Sequence, residues 1–362
     1  MRHRFESICP YFAMFPASFA ERWINICTKP GQLVADPFSG RGTAPLQSLL
    51  MDRRAVAGDI NPVAFVLTGA KVDSPARSSI VRRIKGLAEE FEEDRYVRDA
   101  AALPKFFRRA FHHTTLRQIL YLRSVLDWRM SRVDRFVAAL ALGSLHGETG
   151  SYFSNRMPRT ISTKPMYSLG FWEARNLWPE KRDVFSILRQ RTAFRFESQP
   201  PKLKGAAYLC DARQFGFAAS DSRRKVDCVI TSPPYLDVTN FEEDQWLRLW
   251  FLGGREVPTR GVHSCDDRHR RPADYWSFIC DAWRGLRPLL ADKCHFICRL
   301  GGKKMSVDSA KTAFQSSMQF LASKWQLVDF EISQIRRRQT DAFRPGSIGC
   351  KFELDFHFVL EQ

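Results

Sequence analysis

The 362-residue sequence lacks several features that would place it in a familiar class at once. It has no run of about 18 apolar residues, which argues against a membrane span. Its start, MRHRFESICPYFAMF, has charged and polar breaks where a secretory signal needs a continuous apolar stretch. Nine cysteines form no CxxC pair and lie mostly inside apolar runs, which favours reduced, buried thiols. These absences predict a globular, cytoplasmic protein.

Acidic residues are also scarce. The chain has 39 Asp and Glu against 56 Lys and Arg, so its net charge is +17 and its pI about 9.7. Residues 101–140 hold eight Lys and Arg against two Asp, a local net charge of +6. Such a basic folded chain favours a polyanionic partner, with nucleic acid first. A solvated basic surface without a partner is the alternative.

The order of apolar segments predicts an α/β protein. LVADPF and AVAGDI indicate strands that are each followed by a helix, and a short amphipathic helix over 17–28 precedes them. Further strands are expected at AAYLCDA, VDCVITSPPY and CHFICRL, with LVDFEIS and FELDFHFVLE as a closing antiparallel pair. Long helical patterns, such as the one over 78–103, and a loop fill the space between. We therefore divide the chain into 1–75, a mainly helical insertion over 76–200, and 201–362.

DPFSGRGT, residues 36–43, combines a strand-end carboxylate with a glycine turn. Gly40 and Gly42 can adopt positive φ and let backbone approach a ligand. The next strand ends in Asp59, suited to ribose hydroxyls, and a third ends in Asp211, suited to an adenine amino group. The third glycine of a nicotinamide fingerprint and a Walker lysine are both missing. A tight turn without a ligand remains the alternative.

TSPPY, residues 231–235, follows an apolar strand pattern. Two consecutive prolines fix φ and remove two N–H donors, so they fit neither a helix nor a central strand. The pattern therefore predicts a rigid polar turn at the end of a buried strand. A loop that only closes the strand is the structural alternative.

Together these two motifs resemble those of the S-adenosylmethionine-dependent amino-methyltransferases of DNA, which modify cytosine N4 or adenine N6. The segment HRFESICPYFAMFPASFAERWI resembles the one that precedes the cofactor motif in the cytosine-N4 members. The resemblance covers residues 7–75 and 203–360. It implies a Rossmann-like class I methyltransferase fold, with about seven strands in a mostly parallel sheet and an antiparallel last strand. It also implies S-adenosylmethionine as cofactor, S-adenosylhomocysteine as product and no metal. The residues it places at the cofactor are Phe15, Pro16, Asp36, Pro37, Phe38, Gly40, Gly42, Thr43, Asp59, Asn61, Asp211 and Ala212.

Residue chemistry in TSPPY agrees with this resemblance. An exocyclic aromatic amine is a poor nucleophile, and an acceptor on each N–H favours the geometry in which it attacks. The Ser232 hydroxyl and the Pro233 carbonyl can supply two acceptors, and Tyr235 offers a flat surface for an extruded base. With Pro234 stiffening the turn, these four residues are the predicted catalytic group. Serine in the variable first position favours N4-methylcytosine as the product.

Nucleic-acid contacts are expected from the insertion and from two basic loops, 253–272 and 335–350. The insertion 76–200 is the candidate target-recognition region, although it precedes the third strand, unlike the usual layout of the family. An insertion that only packs on the sheet is the alternative. The candidate contact residues are Asn155, Arg156, Arg159, Lys164, Arg268, Arg336, Arg337 and Arg338.

The resemblance implies double-stranded DNA as partner and, as the family's commonest setting, a companion restriction endonuclease. Two other functions stay open. One is an RNA (guanine-N2 type) or protein amine methyltransferase with the same X-Pro-Pro-Tyr turn, and the other is a non-catalytic nucleic-acid-binding protein. A cytosine-C5 enzyme is disfavoured, because the chain has no Pro-Cys dipeptide. No metal site is predicted, since the His, Cys and Asp residues over 263–269 match no standard ligand spacing.

Overall fold

A computed structural model describes residues 3–11, 15–157, 164–221, 224–236, 241–258, 271–302, 305–335, 350 and 352–362. The chain forms two compact units. The sheet unit comprises Ala13–Thr68, Pro201–Thr239 and His263–Gln362, and the helical unit comprises Met1–Phe12, Gly69–Pro200 and Asn240–Val262. Among the described residues, no helix combines the length and the apolar character that crossing a membrane requires.

Seven strands make up the sheet. They are β1 (Leu33–Asp36), β2 (Arg54–Asp59), β3 (Ala206–Leu209), β4 (Val226–Thr231), β5 (Leu290–Gly301), β6 (Lys324–Gln334) and β7 (Phe352–Glu361). Their order is β3-β2-β1-β4-β5-β7-β6. Strands β1 to β5 are parallel, whereas β7 is antiparallel to both β5 and β6. This is the class I methyltransferase arrangement, so the predicted fold and the antiparallel closing pair are confirmed.

Fifteen α-helices lie in the described residues. They are α1 (Ala17–Cys27), α2 (Thr43–Leu50), α3 (Pro62–Val72), α4 (Arg77–Glu89), α5 (Val97–Ala102), α6 (Lys105–Ala110), α7 (His113–Val125), α8 (Arg132–Leu142), α9 (Pro165–Ala174), α10 (Val184–Arg195), α11 (Phe215–Ala218), α12 (Phe241–Asp244), α13 (Trp246–Phe251), α14 (Pro272–Leu286) and α15 (Val307–Ser317). Helices α4 to α10, α12 and α13 belong to the helical unit.

The sheet is buried on both faces, which explains why its central strands are almost continuously apolar. Successive side chains of a strand point to opposite faces. In β1, Leu33 and Ala35 pack with residues of α14 and α15, whereas Val34 packs with α1. The amphipathic pattern over 17–28 is confirmed as α1, whose buried residues include Phe19 and Trp23.

The helical pattern over 78–103 is interrupted, so the prediction of one long helix there is wrong. Helix α4 ends at Glu89, a tight turn occupies Glu93–Tyr96, and α5 follows. The break falls in EEFEED, residues 89–94. Negative charge is unfavourable at a helix C-terminus and favourable at an N-terminus, so this acidic run favours a new helical start. An ion pair also stabilises the turn: Glu93 pairs with Arg117 of α7 at 2.7 Å.

Aromatic side chains form the interior of the helical unit. The Phe107 ring lies 4.4 Å from that of Trp250, and Phe106 lies 5.1 Å from Trp246. The Arg123 guanidinium also donates to the Trp250 carbonyl at 2.8 Å. Helices from the insertion and from Asn240–Val262 thus share one core. The use of 76–200 for target recognition stays a prediction.

Candidate active site and cofactor site

Asp36 ends β1 with its carboxylate buried. One oxygen, Oδ1, accepts hydrogen bonds from the Phe38 N–H at 3.1 Å and the Thr231 hydroxyl at 2.6 Å. Burial raises the pKa of Asp36 to about 7, with the two hydrogen bonds acting against the rise and the nearby Asp59 charge adding to it. The Thr231 bond joins DPFSGRGT to the first residue of TSPPY. Two motifs that are far apart in sequence therefore meet at the carboxyl ends of neighbouring strands.

Glycine is required in the turn that follows Asp36. Gly40 and Gly42 have φ of 51° and 78°, a region that side chains disfavour. A Cβ on Gly42 would lie 2.7 Å from the Thr68 hydroxyl of α3. That hydroxyl lies 3.1 Å from the Gly40 carbonyl and donates to it. Thr43 then begins α2 and is buried.

Asp59 and Asn61 lie beside this glycine turn. The Asp59 carboxylate accepts the Gly40 N–H at 2.8 Å and the Asn61 N–H at 2.9 Å. The Asn61 side chain accepts the Val63 N–H at 2.9 Å in the first turn of α3. The end of β2 is thus fixed directly to the glycine turn, as expected for adjacent parallel strands.

Asp211 follows β3 and is held within its own turn. Its carboxylate accepts the Arg213 N–H at 2.9 Å and forms two bonds with the Arg213 guanidinium at 3.1 and 2.9 Å. Contact with an adenine amino group would therefore have to share this carboxylate with Arg213. Ala212 is buried in the core beside Phe215.

The other predicted cofactor residues frame the same region of the sheet unit. Phe15 is buried with its ring 5.0 Å from that of Phe19, and Pro16 is exposed where α1 begins. Pro37 is buried, and half-buried Phe38 packs edge-on against α14. Phe15 thus packs as an apolar residue just before α1, and Pro37 and Phe38 contribute apolar side chains just after β1.

The residues Ser232–Tyr235 form a turn immediately after β4. The Ser232 hydroxyl donates to the Arg299 carbonyl of β5 at 3.0 Å. The same hydroxyl lies within hydrogen-bond reach of the Tyr235 hydroxyl, and its oxygen has two lone pairs with which it can accept. Pro233 is buried and Pro234 is half-buried. The turn ends where the Leu236 N–H donates to the Gly301 carbonyl at 3.1 Å, so both of its ends are tied to β5.

The Tyr235 ring is half-buried and lies against Gly301. A Cβ at that glycine would approach the ring to 2.6 Å, so only glycine leaves room for it. The Tyr235 hydroxyl donates to Glu353 of β7 at 2.7 Å. Burial raises the pKa of Tyr235 well above its ordinary value, and the Glu353 charge raises it further. The phenol is therefore a neutral hydrogen-bond donor that fixes the ring in place.

A buried ion-pair network supports Tyr235, and the sequence analysis did not identify it. The Arg299 guanidinium bonds both oxygens of Asp355 at 2.7 and 2.6 Å and Glu353 at 3.1 Å. It also lies 4.2 Å above the Phe19 ring of α1. Glu353 is therefore shared by Arg299 and Tyr235. The sequence feature that could have indicated this network is the presence of isolated charged residues inside the apolar strands CHFICRL and FELDFHFVLE.

Three of the predicted nucleic-acid residues can be placed. Asn155 is buried, with its amide donating to two backbone carbonyls and its carbonyl accepting the Arg156 N–H. Arg156 is exposed and lies 4.0 Å from Glu180. Lys164 is exposed and pairs with Glu243 at 3.2 Å. The remaining candidates lie outside the described residues, as does the segment 263–269; they are Arg159, Arg268, Arg336, Arg337 and Arg338.

The basic stretch 101–140 is partly neutralised inside the helical unit. Lys105 pairs with Glu173 at 2.8 Å, and Arg132 pairs with Asp73 at 3.3 Å. Arg135 donates to the Trp128 carbonyl at 2.9 Å. Much of the local charge predicted to attract a polyanion thus has an internal partner.

A comparison with protein families supports the resemblance seen in the sequence. Residues 3–67 match the N6/N4 methyltransferase family, described as DNA methylase. This segment contains Asp36 and the glycine turn, and the resemblance is confirmed over it. No curated protein matches the sequence. The family match and the strand order together support S-adenosylmethionine-dependent methyl transfer as the general activity.

Three solved structures among those similar to this chain are TrmN, the rRNA methyltransferase AviRa and the protein SMU.1697c. TrmN from Thermus thermophilus is 11% identical, with 99% of this chain and 52% of that chain covered and a TM-score of 0.37. The rRNA methyltransferase AviRa from Streptomyces viridochromogenes is 12% identical, with 96% and 87% covered and a TM-score of 0.33. Protein SMU.1697c from Streptococcus mutans, solved in complex with SAH, is 7% identical, with 96% and 99% covered and a TM-score of 0.33. The chain spans about half the length of TrmN, 52% of it.

Proposed function

We propose that the chain is a site-specific DNA methyltransferase that modifies the exocyclic amine of a flipped base, with cytosine N4 favoured over adenine N6. The observation that carries the proposal is the 2.6 Å bond from Thr231 to Asp36. It brings the proposed catalytic turn within one hydrogen bond of the proposed cofactor motif. The family match over residues 3–67 supports the same reading independently.

The residues around the glycine turn fit S-adenosylmethionine. Carboxylates end three adjacent strands, at Asp36, Asp59 and Asp211, on the sheet edge where open α/β folds bind ligands. Asp59 would hold the ribose, Asp211 and Ala212 the adenine, and Phe15 with Pro16 the methionine part. When bound, the cofactor supplies an electrophilic methyl group carried on a sulfonium.

The TSPPY turn would prepare the amine. Ser232 Oγ, which donates to the Arg299 carbonyl and also lies within hydrogen-bond reach of the Tyr235 hydroxyl, would accept one amine N–H, and the Pro233 carbonyl would accept the other. Those two acceptors favour the geometry in which the nitrogen lone pair can attack. Tyr235 would stack on the extruded base while its hydroxyl is held by Glu353. No strong base is needed, because the amine becomes acidic only after it has gained the methyl group.

Double-stranded DNA is the proposed partner, because the net charge of +17 favours a polyanion. Exposed Arg156 and Lys164 remain candidates for backbone contacts, as do Arg159, Arg268, Arg336, Arg337 and Arg338. Asn155 would act by supporting its loop, since its side chain bonds within the helical unit. A restriction endonuclease is the companion that the family resemblance suggests.

Methyl transfer is tested by incubating the purified protein with labelled S-adenosylmethionine and duplex DNA and analysing the nucleosides by mass spectrometry. N4-methylcytosine is the expected product. Ser232→Ala should lower the rate by about 100-fold or more, because it removes an acceptor used in the transition state. Ser220→Ala, which changes an exposed serine of the sheet unit, is the matched control and should keep full activity.

Tyr235 separates ring stacking from hydrogen bonding. Tyr235→Phe keeps the ring and loses the bond to Glu353, so it should retain most of the activity, whereas Tyr235→Ala should lose it. Robust transfer to tRNA with none to any DNA would contradict the proposed substrate. N6-methyladenine as the sole product would contradict the preference for cytosine.

The DNA partner has its own test, the salt dependence of binding. The logarithm of affinity should fall linearly with the logarithm of salt concentration, and Arg156→Ala or Lys164→Ala should each reduce that slope by about one. Lys324→Ala, which alters an exposed lysine on β6, is the control. Binding that does not respond to salt would exclude backbone contacts.

A further inference from the structure

Three potential metal ligands converge under α1, on the face of the sheet opposite α14. Cys27 is the last residue of α1, His295 lies on β5 and His357 on β7. Cys27 Sγ lies 3.6 Å from His357 Nε2, and His295 Nδ1 lies 3.0 Å from that same nitrogen. One ligand atom from each residue falls within 4.8 Å of the other two. Cys27 and His357 are buried and His295 is half-buried.

Hydrogen bonds alone cannot satisfy this arrangement. A neutral imidazole nitrogen either carries one hydrogen or offers one in-plane lone pair, so His357 Nε2 can form a single good bond. Two neighbours nevertheless approach it. If Nε2 accepts from the Cys27 thiol, the His295 nitrogen has no bond to it, and if Nε2 binds His295, the buried thiol loses its acceptor. A cation placed among the three atoms would use all their lone pairs at once.

The spacing suits a tetrahedral ion. With Zn–S near 2.3 Å and Zn–N near 2.0–2.1 Å, ligand atoms of such a site lie roughly 3.3–3.6 Å apart. Two of the three separations, 3.6 and 3.0 Å, are close to those edges, and the third is within 4.8 Å. Thiolate and imidazole ligands favour Zn²⁺ or a similar transition metal over Mg²⁺ or Ca²⁺.

We propose that Cys27, His295 and His357 bind one Zn²⁺-type ion, with water in the fourth position. On binding, a metal–sulfur bond replaces the S–H bond of Cys27, and the displaced proton passes to solvent. The ion would fasten the C-terminal end of α1 to β5 and β7. None of the three ligands is a residue proposed for methyl transfer, and they come from three distant parts of the chain. The site departs from the expectation of no metal, which rested on the family resemblance and on the ligand spacing over residues 263–269.

The site is tested on the full chain after dialysis against a chelator, by titration with Co²⁺ and then Zn²⁺. One Co²⁺ per chain should bind, with the absorption of a thiolate-to-cobalt charge transfer, and Zn²⁺ should abolish that band. Cys27→Ala should remove the band, and both Cys27→Ala and His295→Ala should weaken binding by more than about 100-fold, since even indirect supports of metal ligands are worth 10–100-fold. Saturating Zn²⁺ should raise the melting temperature of the native chain but not of these variants.

Cys298→Ala is the matched control, because Cys298 is a buried thiol of β5 that faces the opposite side of the sheet. It should keep the cobalt band. His295 is half-buried, so His295→Ala decides the question if Cys27→Ala fails to fold. Absence of the band in the native chain, or an unchanged band in a folded Cys27→Ala or His295→Ala variant, would overturn the proposal.

Discussion

Asp36 should make the stability of the protein depend on pH in an unusual direction. Its pKa rises from the ordinary 3.8 to about 7, mainly because its carboxylate is buried. The unfolded residue therefore ionises near pH 4 and the folded one near pH 7. Between these values the folded state holds the extra proton, so the contribution of Asp36 to the free energy of unfolding falls as pH rises. The difference of about three units between the folded and unfolded pKa of Asp36 lowers the free energy of unfolding by about 4 kcal/mol above pH 7.

Asp36→Asn removes the charge and keeps the shape and an acceptor for Thr231. We expect the variant to match the native protein below pH 4 and to exceed its free energy of unfolding by up to about 4 kcal/mol above pH 7. Urea unfolding of the cofactor-free protein from pH 4 to pH 8 measures this difference. Asp292→Asn, which changes an exposed carboxylate of β5, should show no such trend. A difference between Asp36→Asn and the native chain that stays constant across this range would refute the reasoning.

Two further substitutions test the frame of the site. Gly42→Ala should cost more stability than Gly31→Ala: both glycines have positive φ, worth about 1–2 kcal/mol, but only Gly42 would also push a Cβ to 2.7 Å from a hydroxyl of α3. Equal losses in thermal unfolding would show that the contact is harmless. Arg299→Lys should lower the free energy of unfolding by about 2 kcal/mol, because it breaks the bidentate pair of hydrogen bonds to buried Asp355. Arg284→Lys, in an exposed ion pair, should lower it by no more than about 0.5 kcal/mol. Similar values for both in urea unfolding would contradict a structural role for the buried pair.

Local patterns in the sequence were sufficient for the sheet. Short apolar runs, each soon followed by a carboxylate or a proline, place β1, β2 and β4 correctly, because parallel strands buried on both faces leave a strong apolar signal. The mostly parallel arrangement of those strands followed from the family resemblance. Asp36 and Asp59 lie beside the glycine turn for a local reason, since both end neighbouring parallel strands.

Contacts between residues far apart in the chain could not be predicted from these local patterns. The pairing of Arg299 with Asp355 depends on which residues face each other across β5 and β7, and register is not visible in either strand separately. The same holds for Thr231 and Asp36. Asn155 has a side chain that could read a base, yet it is buried within a loop. Its amide bonds backbone carbonyls instead, because polar side chains form hydrogen bonds with backbone groups as readily as with ligands.

The bond between Tyr235 and Glu353 has a consequence for how the protein matures. Strand β7 is inserted between β5 and β6, although it follows both in the chain. The Tyr235 hydroxyl therefore finds its acceptor only when the last strand has been inserted into the sheet. Contacts across such long sequence separations form slowly. In a refolding experiment, strand pairing from β1 to β5 should precede formation of the Tyr235–Glu353 bond, and the delay would measure the insertion of β7.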